Sequence, residues 1–116
     1  MDLLQVRERA LSSEIEIVEV AGEIDVYTAP RLRSHLEEVI ARGAPLVGVA
    51  LDDVRYLDSS GLAALIAAQA ALDQRHGRLI LITSKPRIVR LLQLTGLADV
   101  FTVVGEISEV PRLLEA

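Results

Sequence analysis

Residues 46–65 read LVGVALDDVRYLDSSGLAAL, and this stretch decides how the rest of the chain is interpreted. Its first part, residues 46–51, is an almost uninterrupted apolar run, which predicts a strand buried on both faces. Its last part, from Leu62 onward, is rich in alanine and leucine and predicts a helix. Residues 52–57 are predicted to form a loop that leads to the polar segment Asp58-Ser59-Ser60-Gly61. The sequence therefore predicts a short polar segment at the junction of a buried strand and a helix.

The predicted junction is suited to receiving an anion. Side-chain oxygens of Asp and Ser accept hydrogen bonds from first-turn N–H groups, which have no partner inside the helix. The helix macrodipole also favours negative charge at that end. Two interpretations of Ser59 and Ser60 remain open: they only cap the helix, or one of them carries a phosphate. The pattern alone favours capping, because a serine at a helix start needs no further reason.

The composition indicates a small acidic domain. The chain has 116 residues and 51% hydrophobic content, so we expect one domain spanning residues 1–116 with a core that needs no metal or disulfide. The absence of cysteine excludes thiolate chemistry and fits a reducing cytoplasm. A net charge of −5, with two Tyr, one Phe and no Trp, argues against direct nucleic-acid or membrane partners. No apolar run reaches the roughly 18–20 residues of a membrane span.

Apolar patterns and breaker residues predict the order of the elements. Residues 4–7 and 14–20 alternate and predict an antiparallel strand pair; the alternation slips at Ile17-Val18, which indicates either a bulge or coverage of both faces. Beyond this pair, predicted helices alternate with apolar strands: helices at about 28–42, 62–75 and 84–95 and one after Ser108 with Pro111 in its first turn, and strands at 46–51, 78–83 and 100–104. This order predicts an α/β domain with a mixed, mostly parallel central sheet, an N-terminal antiparallel strand pair and about four helices packed against it.

Several local expectations follow from the same patterns. Thr28 and Ser84 are predicted to cap helices, Gly43 to end one, and Gly77 to be a left-handed helix end. The inward stripe of the second helix is predicted to be Leu62, Leu65, Ile66 and Leu72, while Ala63, Ala67, Ala70 and Ala71 reflect either helix propensity or an interface. The polar face of the first helix, including His35, and the loop residues Asp52 and Asp53 are predicted to be solvated.

Enzyme chemistry is poorly supported. A hydrolase elbow at Ser59 requires glycine where Leu57 stands, and neither His35 nor His76 has a carboxylate at an obvious orienting distance in sequence. The aspartates at 52, 53 and 58 lack His or Cys neighbours and do not match a calcium loop. No glycine-rich loop of the phosphate-binding type is present. We expect no catalytic residue, no metal and no cofactor.

Three segments together resemble the STAS domain of bacterial anti-sigma factor antagonists. They are Asp58-Ser59-Ser60-Gly61 followed by Leu62, the earlier Gly22-Glu23-Ile24-Asp25 with Thr28-Ala29, and the later Thr95-Gly96-Leu97. The first segment alone would be weak evidence for the family, whereas three segments in this order and spacing are fairly specific for the domain. The resemblance covers nearly the whole chain, and the fold of the family, a mixed sheet with helices against it, agrees with the predicted order.

The resemblance implies a phosphorylation switch. In such proteins the unphosphorylated form binds an anti-sigma factor and frees the sigma factor. The anti-sigma factor is itself a serine kinase that uses ATP, and a PP2C-type phosphatase reverses the modification. By this resemblance, Ser59 is the phosphoacceptor and Ser60 is the main alternative. The implied contact surface comprises Asp25, Thr28, Asp58, Ser60 and Gly61. The protein is expected to be a monomer or weak dimer in the cytoplasm.

STAS domains also have other roles, since a fold does not fix function. The leading alternative is a subunit of a lipid-transport ABC system or of a stress-sensing assembly, acting by protein–protein interaction without phosphorylation. An anion-transporter role is disfavoured because the chain is short and has no membrane span.

Overall fold

The computed structural model describes residues 3–115, in the order of elements that the sequence predicts. The elements are β1 (Leu4–Ser12), β2 (Ile15–Ile24), α1 (Ala29–Ala41), β3 (Leu46–Leu57), α2 (Ser59–Asp73), β4 (Arg78–Ile82), α3 (Pro86–Leu94), β5 (Thr102–Val104) and a C-terminal 3₁₀ helix (Ile107–Glu115). Met1, Asp2 and Ala116 of the predicted domain lie outside the described residues. Within residues 3–115, no helix combines the length and apolar character that a membrane crossing requires.

The predicted mixed sheet is confirmed. Its strand order is β1-β2-β3-β4-β5, with β1 antiparallel to β2 and all later neighbours parallel. Because the order never reverses and such crossovers are right-handed, α1, α2 and α3 must lie on one face of the sheet. Accordingly, the larger apolar cluster contains residues of all three helices. The C-terminal 3₁₀ helix covers the opposite face and places Val110 in a second, smaller cluster.

The slip in alternation at Ile17-Val18 reflects coverage of both faces. The β1–β2 ladder stays in register from the Leu4–Gly22 pair to the Ala10–Glu16 pair, so no bulge lies at this point. Both residues are fully buried. Val18 joins the cluster under α1, α2 and α3, whereas Ile17 joins the cluster under the 3₁₀ helix.

The predicted loop at residues 52–57 is wrong, because these residues continue β3. They pair with the second half of β2, where Asp53 lies opposite Ala21 and Leu57 lies opposite Ile24. Pairing with β4 ends at Ala50, which leaves one edge of the later half of β3 without a neighbouring strand. The Arg87 guanidinium of α3 lies at this edge, where its Nη1 and Nη2 donate to the carbonyl oxygens of Arg55 and Val54, both at 2.7 Å.

Two predicted helix ends differ from the structure. Lys85, not Ser84, occupies the N-cap position of α3, because both the N–H and the hydroxyl of Ser84 donate to Asp52. After α2, His76 takes the left-handed conformation with φ of 60° in place of Gly77. A Cβ at Gly77 would lie 2.9 Å from Leu72 Cδ2 and 3.2 Å from the Pro45 carbonyl oxygen, so this glycine allows close packing.

Other boundaries and faces are corrected as well. Ser108 lies inside the C-terminal 3₁₀ helix rather than capping an α-helix, and Pro111 also lies inside it. The last strand is shorter than predicted and covers only Thr102–Val104. On α2, the side chain of Ile66 is exposed, and Ala64 and Ala68 are buried in its place. Small side chains thus occupy part of the inner face of α2.

Asp52 is a structural carboxylate rather than a solvated loop residue. It accepts hydrogen bonds from the Thr83 hydroxyl at 2.9 Å, the Ser84 N–H at 2.8 Å and the Ser84 hydroxyl at 3.0 Å. Partial burial raises the pKa of Asp52, but these three hydrogen bonds outweigh it and leave that pKa below its ordinary value. The carboxylate therefore ties β3 to the segment that follows β4.

Replacing Asp52 with alanine is expected to lower the free energy of unfolding at pH 7 by about 1–3 kcal/mol, since a charged acceptor is lost. The folded-state pKa of Asp52 is lowered, so its stabilisation is present above the unfolded-state pKa of about 4 and lost as pH falls through the folded-state pKa. Urea unfolding of wild type and D52A at pH 7 and pH 3 should show a difference that shrinks at the lower pH. Asp52→Asn, which keeps an acceptor, should cost less at pH 7. An equal loss of unfolding free energy in D52A at both pH values would contradict a stabilising role of the Asp52 carboxylate.

Candidate functional site

The ends of β2 and β3 bring two predicted site residues together. Ile24 and Leu57 are partners in the parallel ladder, and the Asp58 N–H donates to the Ile24 carbonyl oxygen at 3.3 Å. Asp25 follows the end of β2, and Asp58 follows the end of β3. The two aspartates therefore leave the sheet side by side. Both side chains are half-buried. Two carboxylates thus flank the start of α2.

Asp58 supplies the N-cap of α2. Its Oδ1 accepts from the Ser60 N–H at 2.9 Å, and its carbonyl oxygen accepts the first helical bond from the Leu62 N–H at 3.1 Å. The Tyr56 hydroxyl lies 3.4 Å from Asp58 Oδ2 and donates to it. Because the aspartate performs the capping, Ser59 is the first residue inside the helix.

The two serines differ in exposure. Ser59 is exposed, while Ser60 is half-buried. In the part of the chain that the structure describes, the Ser59 hydroxyl makes no side-chain hydrogen bond, either as a cap or otherwise. The hydroxyl of Ser59 is therefore open to solvent at the positive end of the α2 dipole.

Asp25 and Thr28 shape the loop that leads into α1. Asp25 Oδ1 accepts from the Tyr27 N–H at 2.9 Å and the Thr28 N–H at 3.0 Å. The Thr28 hydroxyl accepts from the Asp25 N–H at 2.9 Å and donates to the Glu23 carbonyl oxygen at 2.8 Å. Thr28 occupies the predicted N-cap position, yet its hydroxyl bonds to the loop rather than to α1. Thr28 itself is buried, and the loop it builds holds Val26 outward.

Gly61 lies beneath the site. It is buried, and a Cβ there would overlap Leu57 Cδ1 and lie 2.7 Å from Ile24 Cγ2. Glycine therefore lets the first turn of α2 sit directly against the ends of β2 and β3. The resulting contact positions the exposed Ser59.

Sequence reasoning missed the apolar residues that surround this helix start. Val26 and Tyr27 project from the loop before α1, with Tyr27 86% exposed, and Tyr56 is half exposed two residues before Asp58. Large exposed apolar side chains grouped beside polar ones are typical of protein-binding surfaces. We call Val26, Tyr27 and Tyr56, together with Asp25, Asp58 and Ser59, the α2 start surface.

A separate charged network lies between β1 and α1, where His35 was predicted to be solvated. His35 Nδ1 is 2.6 Å from Glu8 Oε2, and Arg42 Nη2 is 2.7 Å from Glu8 Oε1. The hydrogen bond from His35, followed by that from Arg42, lowers the pKa of Glu8 below its usual value. Glu8, His35 and Glu38 could together offer ligand atoms to a cation, but Arg42 already holds the Glu8 carboxylate. The network therefore fastens α1 to the edge strand β1.

Comparison with known proteins identifies the family. A family model described as STAS domain matches residues 7–110. The anti-sigma-B factor antagonist of Listeria monocytogenes is 36% identical over 100 residues, which is 86% of this chain and 86% of that protein. The antagonist of the same name from Bacillus subtilis is 40% identical over 86 residues, which is 74% of this chain and 78% of that protein. A crystal structure of an anti-sigma factor antagonist from Mycobacterium paratuberculosis has a TM-score of 0.86 at 26% identity and covers 97% of this chain and 95% of its own. The chain belongs to the STAS domain family.

Proposed function

We propose that this chain is an anti-sigma factor antagonist that is switched by phosphorylation of Ser59. The unphosphorylated chain binds an anti-sigma factor and thereby frees a sigma factor in the cytoplasm. The anti-sigma factor is a serine kinase that uses ATP to phosphorylate Ser59, and a PP2C-type phosphatase removes the phosphate. The names of the relatives support antagonism, and the exposure of Ser59 at the start of α2 is the observation that carries the switch.

The position of Ser59 suits a modification that leaves the domain folded. Asp58 caps α2, so the Ser59 hydroxyl has no hydrogen bond within residues 3–115 to lose. Phosphorylation adds about −1.5 to −2 charges, and the N-terminus of a helix accommodates negative charge. Ser60 is less suited, because it is half-buried and its N–H is held by Asp58.

The surroundings of Ser59 explain how a phosphate would dissociate a partner. Asp58 directly precedes Ser59, and Asp25 leaves the sheet beside Asp58. The exposed side chains of Tyr27 and Tyr56 stand two residues from these aspartates in sequence. A partner that covers these side chains would have to remove water from a dianion next to like charges, which is unfavourable. The complex would dissociate while the domain stays intact.

The remaining predicted site residues have distinct parts in this proposal. Asp25 and Asp58 present charge and Ser60 lies at the rim of the contact, whereas the buried Thr28 and Gly61 act by fixing the loop and the helix start. The relatives from Listeria monocytogenes and Bacillus subtilis are named as antagonists, so the lipid-transport and stress-assembly alternative is not favoured.

Mass spectrometry of the intact chain tests the proposal. Incubation with ATP and each purified anti-sigma factor of the same organism should add one phosphate to wild type. Ser59→Ala should abolish the addition, and the matched variant Ser60→Ala should retain it. Phosphate on Ser60 would contradict the assignment of Ser59. A wild-type chain that neither binds nor is modified by any of these factors would contradict the function itself.

A further inference from the structure

An open groove of about 350 Å³ runs between the later half of β3 and α3. It exists because β4 stops pairing with β3 at Ala50, so that α3 packs beside the strand edge where another strand would otherwise lie. Its apolar lining includes Leu57, Leu91 and Leu94. Leu94, the last residue of α3, is 77% exposed. A side chain of this kind at the rim of a groove is typical of a surface that a partner covers.

The charge of this groove is opposite to that of the whole chain. Among residues 3–115, every charged side chain that lines it is an arginine, namely Arg55, Arg87 and Arg90, although the chain carries a net charge of −5. Arg87 is bonded to the carbonyl oxygens of β3, whereas Arg55 and Arg90 are exposed. A partner that fits the groove therefore carries acidic groups beside apolar ones.

The groove is continuous with the α2 start surface. Tyr56 belongs to both, because it lines the groove and its hydroxyl bonds to Asp58 Oδ2. Leu57 lines the groove and directly precedes Asp58. A protein bound over Ser59 would thus have the mouth of the groove beside it.

We propose that the groove binds a segment of the anti-sigma factor that combines apolar and acidic side chains. This inference rests on the proposed function and adds a second contact to it. The second contact does not involve the Ser59 hydroxyl. The contact recruits the kinase to the chain and contributes to binding in both phosphorylation states. A protein segment is favoured over a small anionic amphiphile because the groove joins the surface around Ser59, which the same partner covers.

The double variant Arg90→Glu with Leu94→Asp tests the groove. Both side chains are exposed, so the domain should stay folded. Its affinity for the anti-sigma factor should fall about 10- to 100-fold, because the substitutions remove an apolar contact and place negative charge against acidic groups of the partner. In phosphorylation of Ser59, KM should rise with kcat unchanged, because uniform binding is removed. Arg112→Glu with Leu114→Asp, on the 3₁₀ helix across the sheet, makes the same change of charge and should behave as wild type.

The outcomes separate this proposal from the proposed function. Wild-type affinity in the groove variant, combined with lost affinity in Ser59→Asp, would overturn the groove and leave the switch intact. Failure of wild type to bind any anti-sigma factor would overturn both. Methyl NMR of the wild-type chain gives an independent reading, since signals of Leu91 and Leu94 should shift when the unlabelled factor is added. Saturable binding of decanoate or of anionic phospholipid vesicles that the groove variant loses, with the protein affinity unchanged, would overturn the protein occupant.

Discussion

Replacing Ser59 with aspartate is expected to weaken binding to the anti-sigma factor at least about 30-fold, which corresponds to about 2 kcal/mol. A third carboxylate would join Asp25 and Asp58 on the surface that the partner covers. The free energy of unfolding should stay the same or rise by about 0.3–1 kcal/mol, because an acidic residue at a helix N-terminus is stabilising. Isothermal titration calorimetry and urea unfolding of the same samples measure the two quantities.

The matched control is Ser59→Asn, which has nearly the same size as aspartate but no charge. It should bind within a few-fold of wild type, and Ser59→Ala should bind as tightly as wild type. Loss of binding in the asparagine variant would show that the size of the side chain at position 59, rather than its charge, determines binding to the anti-sigma factor. Tight binding by the aspartate variant would remove the electrostatic basis of the switch.

The largest effect on stability is expected for Gly22→Ala. Gly22 has a φ of +99°, and a Cβ there would overlap the carbonyl oxygen of Leu3. That oxygen accepts from the Glu23 N–H at 2.6 Å, so relieving the overlap would also break this bond between β2 and the residue that precedes β1. Left-handed strain together with this overlap should lower the free energy of unfolding by about 2–4 kcal/mol. Urea unfolding monitored by circular dichroism measures the loss.

Gly96→Ala isolates the part that comes from backbone strain. Gly96 has a φ of +75°, yet its Cβ would meet no atom within 4 Å. Its substitution should therefore cost only about 1–2 kcal/mol. The excess loss in Gly22→Ala measures the overlap with Leu3. Equal losses in the two variants would show that the N-terminal segment moves aside without cost.

The order of elements was predictable because buried parallel strands are continuously apolar. The length of β3 was not, because two aspartates follow its apolar run. Asp52 is accommodated by Thr83 and Ser84, and Asp53 pairs with Ala21 of β2. These partners lie about thirty residues away in sequence or on another strand, so local propensity could not indicate them.

Helix ends depended on tertiary contacts in the same way. Ser84 has the properties of an N-cap, but the Asp52 carboxylate binds it. Gly77 has the properties of a left-handed residue, but close packing against Leu72 requires a glycine there, and His76 takes the turn instead. A single sequence does not distinguish a glycine needed for its φ from one needed for lack of a side chain.

The site was only partly predictable. The proximity of Asp25 to Asp58 follows from parallel strands that end at one edge of a sheet. Val26 and Tyr27 were missed because they lie in a loop and belong to no periodic pattern, and Tyr56 was missed because its strand was predicted to be a loop. The sequence feature that could have identified Val26 and Tyr27 is the presence of large side chains between polar loop residues. His35 was missed because its carboxylate, Glu8, lies on a different element.

The guanidinium of Arg87 has a consequence for self-association. β3 extends beyond the end of β4, and the Arg87 guanidinium binds two carbonyl oxygens on this unpaired edge. These two oxygens are therefore not free to pair with a strand from another molecule. One side chain thus satisfies backbone acceptors that a β4 partner would otherwise occupy, and this lowers the tendency of the edge to pair with a strand from another molecule.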